Sequence, residues 1–107
     1  MADELKELMT QMVSRFNPVA AQGADAKFQL NATGTGGGVY TLAVAGGKAT
    51  VLNGPAENPA LVIDVAVDDW IAVMRGEMDA THAFMTGKLR VQGDMSQLLK
   101  FQQMFRP

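Results

Sequence analysis

The sequence predicts an α+β domain: a single antiparallel-rich layer of about five strands with helices covering one face. Three observations carry this expectation. Short segments with apolar residues at every second position follow one another across glycine turns, as in a meander. The two ends of the chain carry apolar residues at helical spacing instead. Between strand four and strand five, acidic residues at cap positions and two glycines mark out short helices.

The first helix spans residues 3–16. Leu5, Leu8, Met9, Met12, Val13 and Phe16 recur at i, i+3, i+4, i+7, i+8 and i+11, and Asn17-Pro18 ends the run. Three strands follow, at residues 27–32, 39–45 and 48–52. In the first, Phe28, Leu30 and Ala32 alternate with Lys27, Gln29 and Asn31; in the second, Tyr40, Leu42 and Val44 share a face. The glycine-rich TGTGGG between the first two strands invites comparison with a phosphate-binding loop. Such a loop opens a helix, whereas VYTLAVA after it is another strand, and neither Gly-Lys-Ser/Thr nor a suitably spaced acid follows. The glycines are therefore read as a hairpin turn.

NGPAENP is long enough to carry the chain to another edge of the sheet, where LVIDVAV places Leu61, Ile63 and Val65 on one face. Asp68 is expected to cap a short helix carrying Trp70, Ile71, Val73 and Met74, which Gly76 ends. Asp79 is expected to cap a second, ATHAFMT, stopped at Gly87. Strand five is KLRVQ, with Leu89 and Val91 inward and Gly93 breaking it. Asp94-Met95-Ser96-Gln97 has the spacing of a capping box for the last helix. Its apolar residues Met95, Leu98, Leu99, Phe101, Met104 and Phe105 occupy a wider arc than an ordinary surface helix presents, with Gln102 inside it. Two readings fit: a helix wedged into the core with Gln102 bonded to backbone, or a helix covering a cavity with Gln102 near a polar headgroup.

Composition excludes several classes of function. The chain has 107 residues, 48% of them apolar and 19% charged, consistent with one globular domain over residues 1–107. There are no cysteines, so disulfides, thiolate metal sites and cysteine nucleophiles are out. A net charge of −2 argues against a nucleic-acid partner. The N-terminal MADELKELM is acidic and amphipathic, unlike a signal peptide. The one histidine, His82, has no orienting partner or nucleophile nearby in the sequence, and no catalytic residue, metal site or cofactor is expected. Seven of the methionines, among them Met12, Met74, Met78, Met85 and Met104, suit core filling or the lining of an adaptable apolar site.

With these elements in place, residues 65–105 (VAVDDWIAVMRGEMDATHAFMTGKLRVQGDMSQLLKFQQMF) resemble the second half of the sterol carrier protein 2 domain family. The resemblance runs through Asp68, Trp70 to Met74, Gly76, the segment from Asp79 to Thr86, Gly87-Lys88-Leu89, Gly93-Asp94 and the terminal helix; the first half agrees in element order. It implies a hydrophobic tunnel between sheet and helices that takes a fatty acid, acyl-CoA, isoprenoid or sterol, and no catalytic residues. The expected lining is Phe28, Leu30, Tyr40, Leu42, Leu61, Ile63, Trp70, Met74, Met85, Leu98, Phe101, Gln102, Met104 and Phe105. The terminal FRP is not a peroxisomal targeting tripeptide, which suits a compact, cytoplasmic, bacterial form, a monomer or weak dimer. Two functions remain open: a lipid carrier, or an accessory protein-interaction module whose core has closed. The basic residues Lys88, Arg90, Lys100 and Arg106 fit either transient contact with an anionic membrane surface or simple solubility.

Overall fold

The fold comes from a computed structural model, which describes residues 2–21 and 23–105, with side chains of the first helix from residue 5 on. The elements run α1 (Ala2–Ser14), β1 (Ala26–Thr33), β2 (Gly38–Ala45), β3 (Lys48–Asn53), β4 (Leu61–Ala66), α2 (Val67–Met74), α3 (Ala80–Met85), β5 (Leu89–Gly93) and α4 (Met95–Met104). The five strands form one sheet in the order β3-β2-β1-β4-β5.

Three strand pairs are antiparallel, and β1 with β4 is parallel. This pair refines the expected antiparallel layer to a mixed sheet. It arises because β4 docks on the free edge of β1, which the β1–β2–β3 meander leaves open. The connection at residues 54–60 crosses the solvent face of the sheet to reach that edge. Two outward side chains hold it: the Thr41 hydroxyl donates to the Gly54 carbonyl at 2.8 Å, and the Ala56 N–H donates to Gln29 Oε1 at 3.0 Å. On the same face Gln29 Nε2 donates to Asn31 Oδ1 at 3.0 Å, and Asn31 Nδ2 to Asp64 Oδ1 at 2.8 Å. The alternation that put these polar residues outward puts the apolar ones inward.

The register aligns the inward residues in rows across the sheet. Leu42, Phe28 and Leu61 form one, and Tyr40, Leu30, Ile63 and Val91 the next. Apart from half-buried Val91, all of these are buried. The helices close over this face. Leu5, Met9 and Met12 of α1 are buried along one stripe, as the spacing predicts. The helix ends in a tightened turn, and Asn17 N–H then donates to the Met104 carbonyl at 2.8 Å, tying the chain to the end of α4.

The TGTGGG loop is a turn. Gly37 N–H donates to the Gly34 carbonyl at 3.0 Å, and a Cβ on Gly37 would run into the Ala32 carbonyl oxygen. Strand β2 follows without a helix. Gly93 lies within the last residue of β5 rather than beyond it; at φ +128° with Ala60 O 2.8 Å from any added Cβ, the position has room only for glycine.

Cap positions are partly corrected. Asp68 does not cap α2: the N-cap is Ala66, which makes no side-chain cap bond, and Asp68 and Asp69 lie in the first turn. Strand β4 runs straight into the helix because Val67 is drawn into the core, so winding begins earlier. The two acids still face the positive end of the helix dipole. Asp79 caps α3 as expected, accepting from His82 N–H at 3.0 Å. Asp94 caps α4, accepting from Ser96 N–H at 3.0 Å, a bond that holds its carboxyl below the usual carboxylate range.

Candidate functional site

The helices leave a pocket of about 300 Å³ between them. Helix α1 contributes Met12, with Arg15 just past its end. Helix α2 contributes Trp70, Val73 and Met74, the link to α3 contributes Gly76, Met78 and Asp79, and Ala80 opens α3. Helix α4 supplies Phe101 and Gln102, and Phe105 follows at its C-cap. The spacing Phe101, Gln102, Phe105 is one helical face, which is how α4 presents an amide between two rings.

Aromatic rings form the pocket's rigid wall. Phe101 is the hub, with ring centroids 5.9 Å from Trp70, 5.1 Å from Phe105 and 5.3 Å from Phe28. Phe16 extends the cluster, 5.4 Å from Phe105. Three thioethers, Met12, Met74 and Met78, form the compliant part of the lining.

The polar groups around the pocket mostly have partners. Arg15 Nη1 donates to the Met74 carbonyl at 2.8 Å, placing a guanidinium at the negative end of α2. Gln102 Oε1 accepts from the Thr81 hydroxyl at 3.0 Å, and its Nε2 donates to Asp79 Oδ1 at 3.5 Å. Gln102 thus bonds to side chains of the α3 turn and braces α4 against it; the backbone partner considered from the sequence is not the one found. Trp70 is the exception. It is fully buried, and its indole N–H has no hydrogen-bond partner among the described residues. An unpaired buried donor of this kind costs about 1–3 kcal/mol.

The expected lining residues separate into groups. Trp70, Met74, Phe101, Gln102 and Phe105 surround this pocket. Phe28 and Met104 border a second space of about 340 Å³ on the other side of α4, beside Ala20, residues 23–26 and Lys100. Leu30, Tyr40, Leu42, Leu61, Ile63 and Leu98 line neither space and are packed as core. The sheet is therefore covered by the helices, and the first pocket lies among the helices rather than directly on the sheet. Met85 is 77% exposed, outside both spaces, because it lies on the face of α3 away from buried Ala80 and Ala83. Leu99, at 47% exposure, likewise falls outside the buried face of α4, so its apolar arc is narrower than the wheel suggests.

Met12, Arg15, Val73, Gly76, Met78, Asp79 and Ala80 complete the lining and were not expected there. The helical stripe of α1 marked Met12 as buried; nothing in the sequence distinguished a pocket wall from core. His82 is exposed and lines neither space, and the described residues hold no metal-ligating cluster. Among those residues, no helix is long and apolar enough to cross a membrane.

Comparison with known proteins bears on this arrangement. The model of the SCP-2 sterol transfer family matches residues 5–106. A hydroxysteroid dehydrogenase-like protein 2 from Xenopus tropicalis is 31% identical over 99 residues, 92% of this chain and 24% of that protein. The chain thus spans about a quarter of the length of that curated relative. Among solved structures, palmitated SCP2L2 from Aedes aegypti superposes with a TM-score of 0.72 at 20% identity, covering 94% of this chain and 92% of that one. The stereoselective inverting sec-alkylsulfatase Pisa1 from Pseudomonas sp. gives a TM-score of 0.77 at 15% identity, over 90% of this chain and 15% of that chain.

Proposed function

This chain belongs to the SCP-2 sterol transfer family, and on that premise we propose that it is a non-enzymatic carrier which takes a lipid into the pocket among its helices. The observation that carries the reading is the pocket itself: a ring-walled space of about 300 Å³ with three methionines in its lining, set among the helices that cover the sheet. Sites for small molecules occupy roughly 300–1,000 Å³, so the space is at the lower end of that range. An acyl or isoprenoid chain suits it better than a rigid polycyclic body, because a flexible chain can thread where thioethers give way. Each methylene buried contributes about 0.8 kcal/mol, so affinity grows with chain length until the pocket is full. The palmitated relative supports an acyl ligand. The carrier works in the cytoplasm in this proposal, collecting and releasing its ligand without chemistry on it.

A second reading draws on the length of the curated relative, of which this chain covers 24%. A domain recurring inside a longer protein can act as an accessory module. Native mass spectrometry of freshly purified protein, followed by organic extraction, separates the two. The carrier should come with lipid at one equivalent or less and take up a fluorescent fatty acid. Lipid-free protein that binds no probe would leave the module.

A further inference from the structure

We infer that the Asn53–Gly54 peptide is a latent modification site, primed for spontaneous deamidation to isoaspartate and held unreactive in the folded chain by the Thr41 hydroxyl. The inference is independent of the carrier reading, since it concerns the face of the sheet away from the helices.

The sequence narrows the candidates to one. Four asparagines occur in the chain, and the reaction needs the N–H of the following residue as its nucleophile. Asn17 and Asn58 precede prolines, which have no N–H. Asn31 is followed by alanine, and its amide donates to Asp64 Oδ1 at 2.8 Å. Asn53 is exposed and followed by glycine, which puts no side chain in the way of ring closure. In the reaction the Gly54 amide nitrogen gives its proton to base and attacks Asn53 Cγ. The new C–N bond closes a succinimide ring, and the side-chain nitrogen leaves as ammonia. Water then opens the ring at either carbonyl, giving aspartate or isoaspartate, with no oxidant or reductant involved.

The fold withholds the nucleophile. Gly54 N–H donates to the Val39 carbonyl at 2.9 Å, so it must leave the sheet before it can lose its proton and turn toward Cγ. Gly54 stands at φ +91°, just past the last β2–β3 pair, Tyr40 with Asn53. From the other end of the residue, the Gly54 carbonyl accepts from the Thr41 hydroxyl at 2.8 Å. Thr41 is only 2% exposed, and its hydroxyl is spent on this carbonyl. Strand β3 is an edge of the sheet, so its end can open by releasing β2 alone, without global unfolding. Deamidation then proceeds in proportion to the open population. Isoaspartate adds one carbon to the main chain, which puts the bonds to Val39 and Thr41 out of step and frees the start of the 54–60 crossover.

The test compares the parent, Thr41→Val, Thr41→Ser and a synthetic peptide of residues 48–58, all aged together at mildly alkaline pH. Isoaspartate at Asn53 is counted by peptide mapping with mass spectrometry. The peptide should react fastest and the parent far more slowly. Thr41→Val should exceed the parent by roughly two- to tenfold, the worth of one hydrogen bond in the closed state. Thr41→Ser, which keeps the hydroxyl, should stay near the parent. Hydrogen exchange at the Gly54 amide of the parent provides a measure that needs no variant to fold. Its slowing relative to the peptide should match the slowing of deamidation within a few-fold. A parent as fast as the peptide would overturn the inference, because Gly54 would not be withheld. Equal rates for the parent and Thr41→Val, or exchange protection that does not track the deamidation rate, would overturn it as well.

Discussion

Removing the hub ring is the most direct test of how the pocket is built. Phe101 is 4% exposed, with Phe28, Trp70 and Phe105 rings at 5.3, 5.9 and 5.1 Å. A buried Phe→Ala change costs about 3–5 kcal/mol. Three ring contacts at about 0.5–1.5 kcal/mol each account for a large part of that. One side of the ring already borders open space, so fewer contacts are lost there and the cost of Phe101→Ala should lie near 3 kcal/mol, the low end of that range. Against a total of about 5–15 kcal/mol, the variant stays folded. Urea unfolding should show the midpoint reduced by about 1–3 M at an unchanged slope. A saturating ligand should restore part of the loss, since one present at 100 times its Kd adds about 2.7 kcal/mol. A cost below about 1 kcal/mol at constant slope would refute the packed hub, because a buried ring of this size cannot be removed so cheaply. Full stability loss without any ligand rescue would refute the adjoining pocket as a binding site.

Three further outcomes follow from the same structure. Ile63→Ala, in the centre of the sheet, should cost about 2–5 kcal/mol by calorimetry or urea titration, whereas Met85→Gln at the exposed end of α3 should stay within about 0.5 kcal/mol. Asp94 has its carboxyl lowered in the folded state by the Ser96 N–H. Its contribution is therefore complete above the unfolded value of about 4 and is lost as pH falls through the folded value. Asp94→Asn keeps an acceptor at the cap, so thermal melts of this variant should lose less stability between pH 5 and pH 2 than the parent does. Lys100→Glu should slow lipid transfer to anionic vesicles at low salt, with the difference fading as ionic strength shortens the Debye length, while equilibrium binding in solution is unchanged. Equal transfer rates for the two proteins would remove the basic segment from delivery; Arg106, its fourth member, lies outside the described residues.

Local chemistry was legible in the sequence because its causes are local. The alternation of Phe28, Leu30 and Ala32 against Gln29 and Asn31 is enough to assign a strand and its inward face, since successive side chains leave opposite sides of the backbone. Asp79 and Asp94 announced helix starts because a carboxylate need only reach an N–H two or three residues on. The ordered set from Asp68 to Phe105 was enough for the family. The tertiary structure decided what depends on distant partners. The edge available to β4 is set by how β1 pairs with β2, so the parallel pair is not written in either strand. Ala66 displaced Asp68 as the cap of α2 because Val67 is pulled into the core from the strand side. Leu61, Ile63, Trp70 and Phe101 look alike as inward apolar residues. Only the way α1, α2, the α2–α3 link and α4 come together leaves space beside the last two and none beside the first two. A pocket is a failure of distant surfaces to touch, and periodicity along one element carries no record of that.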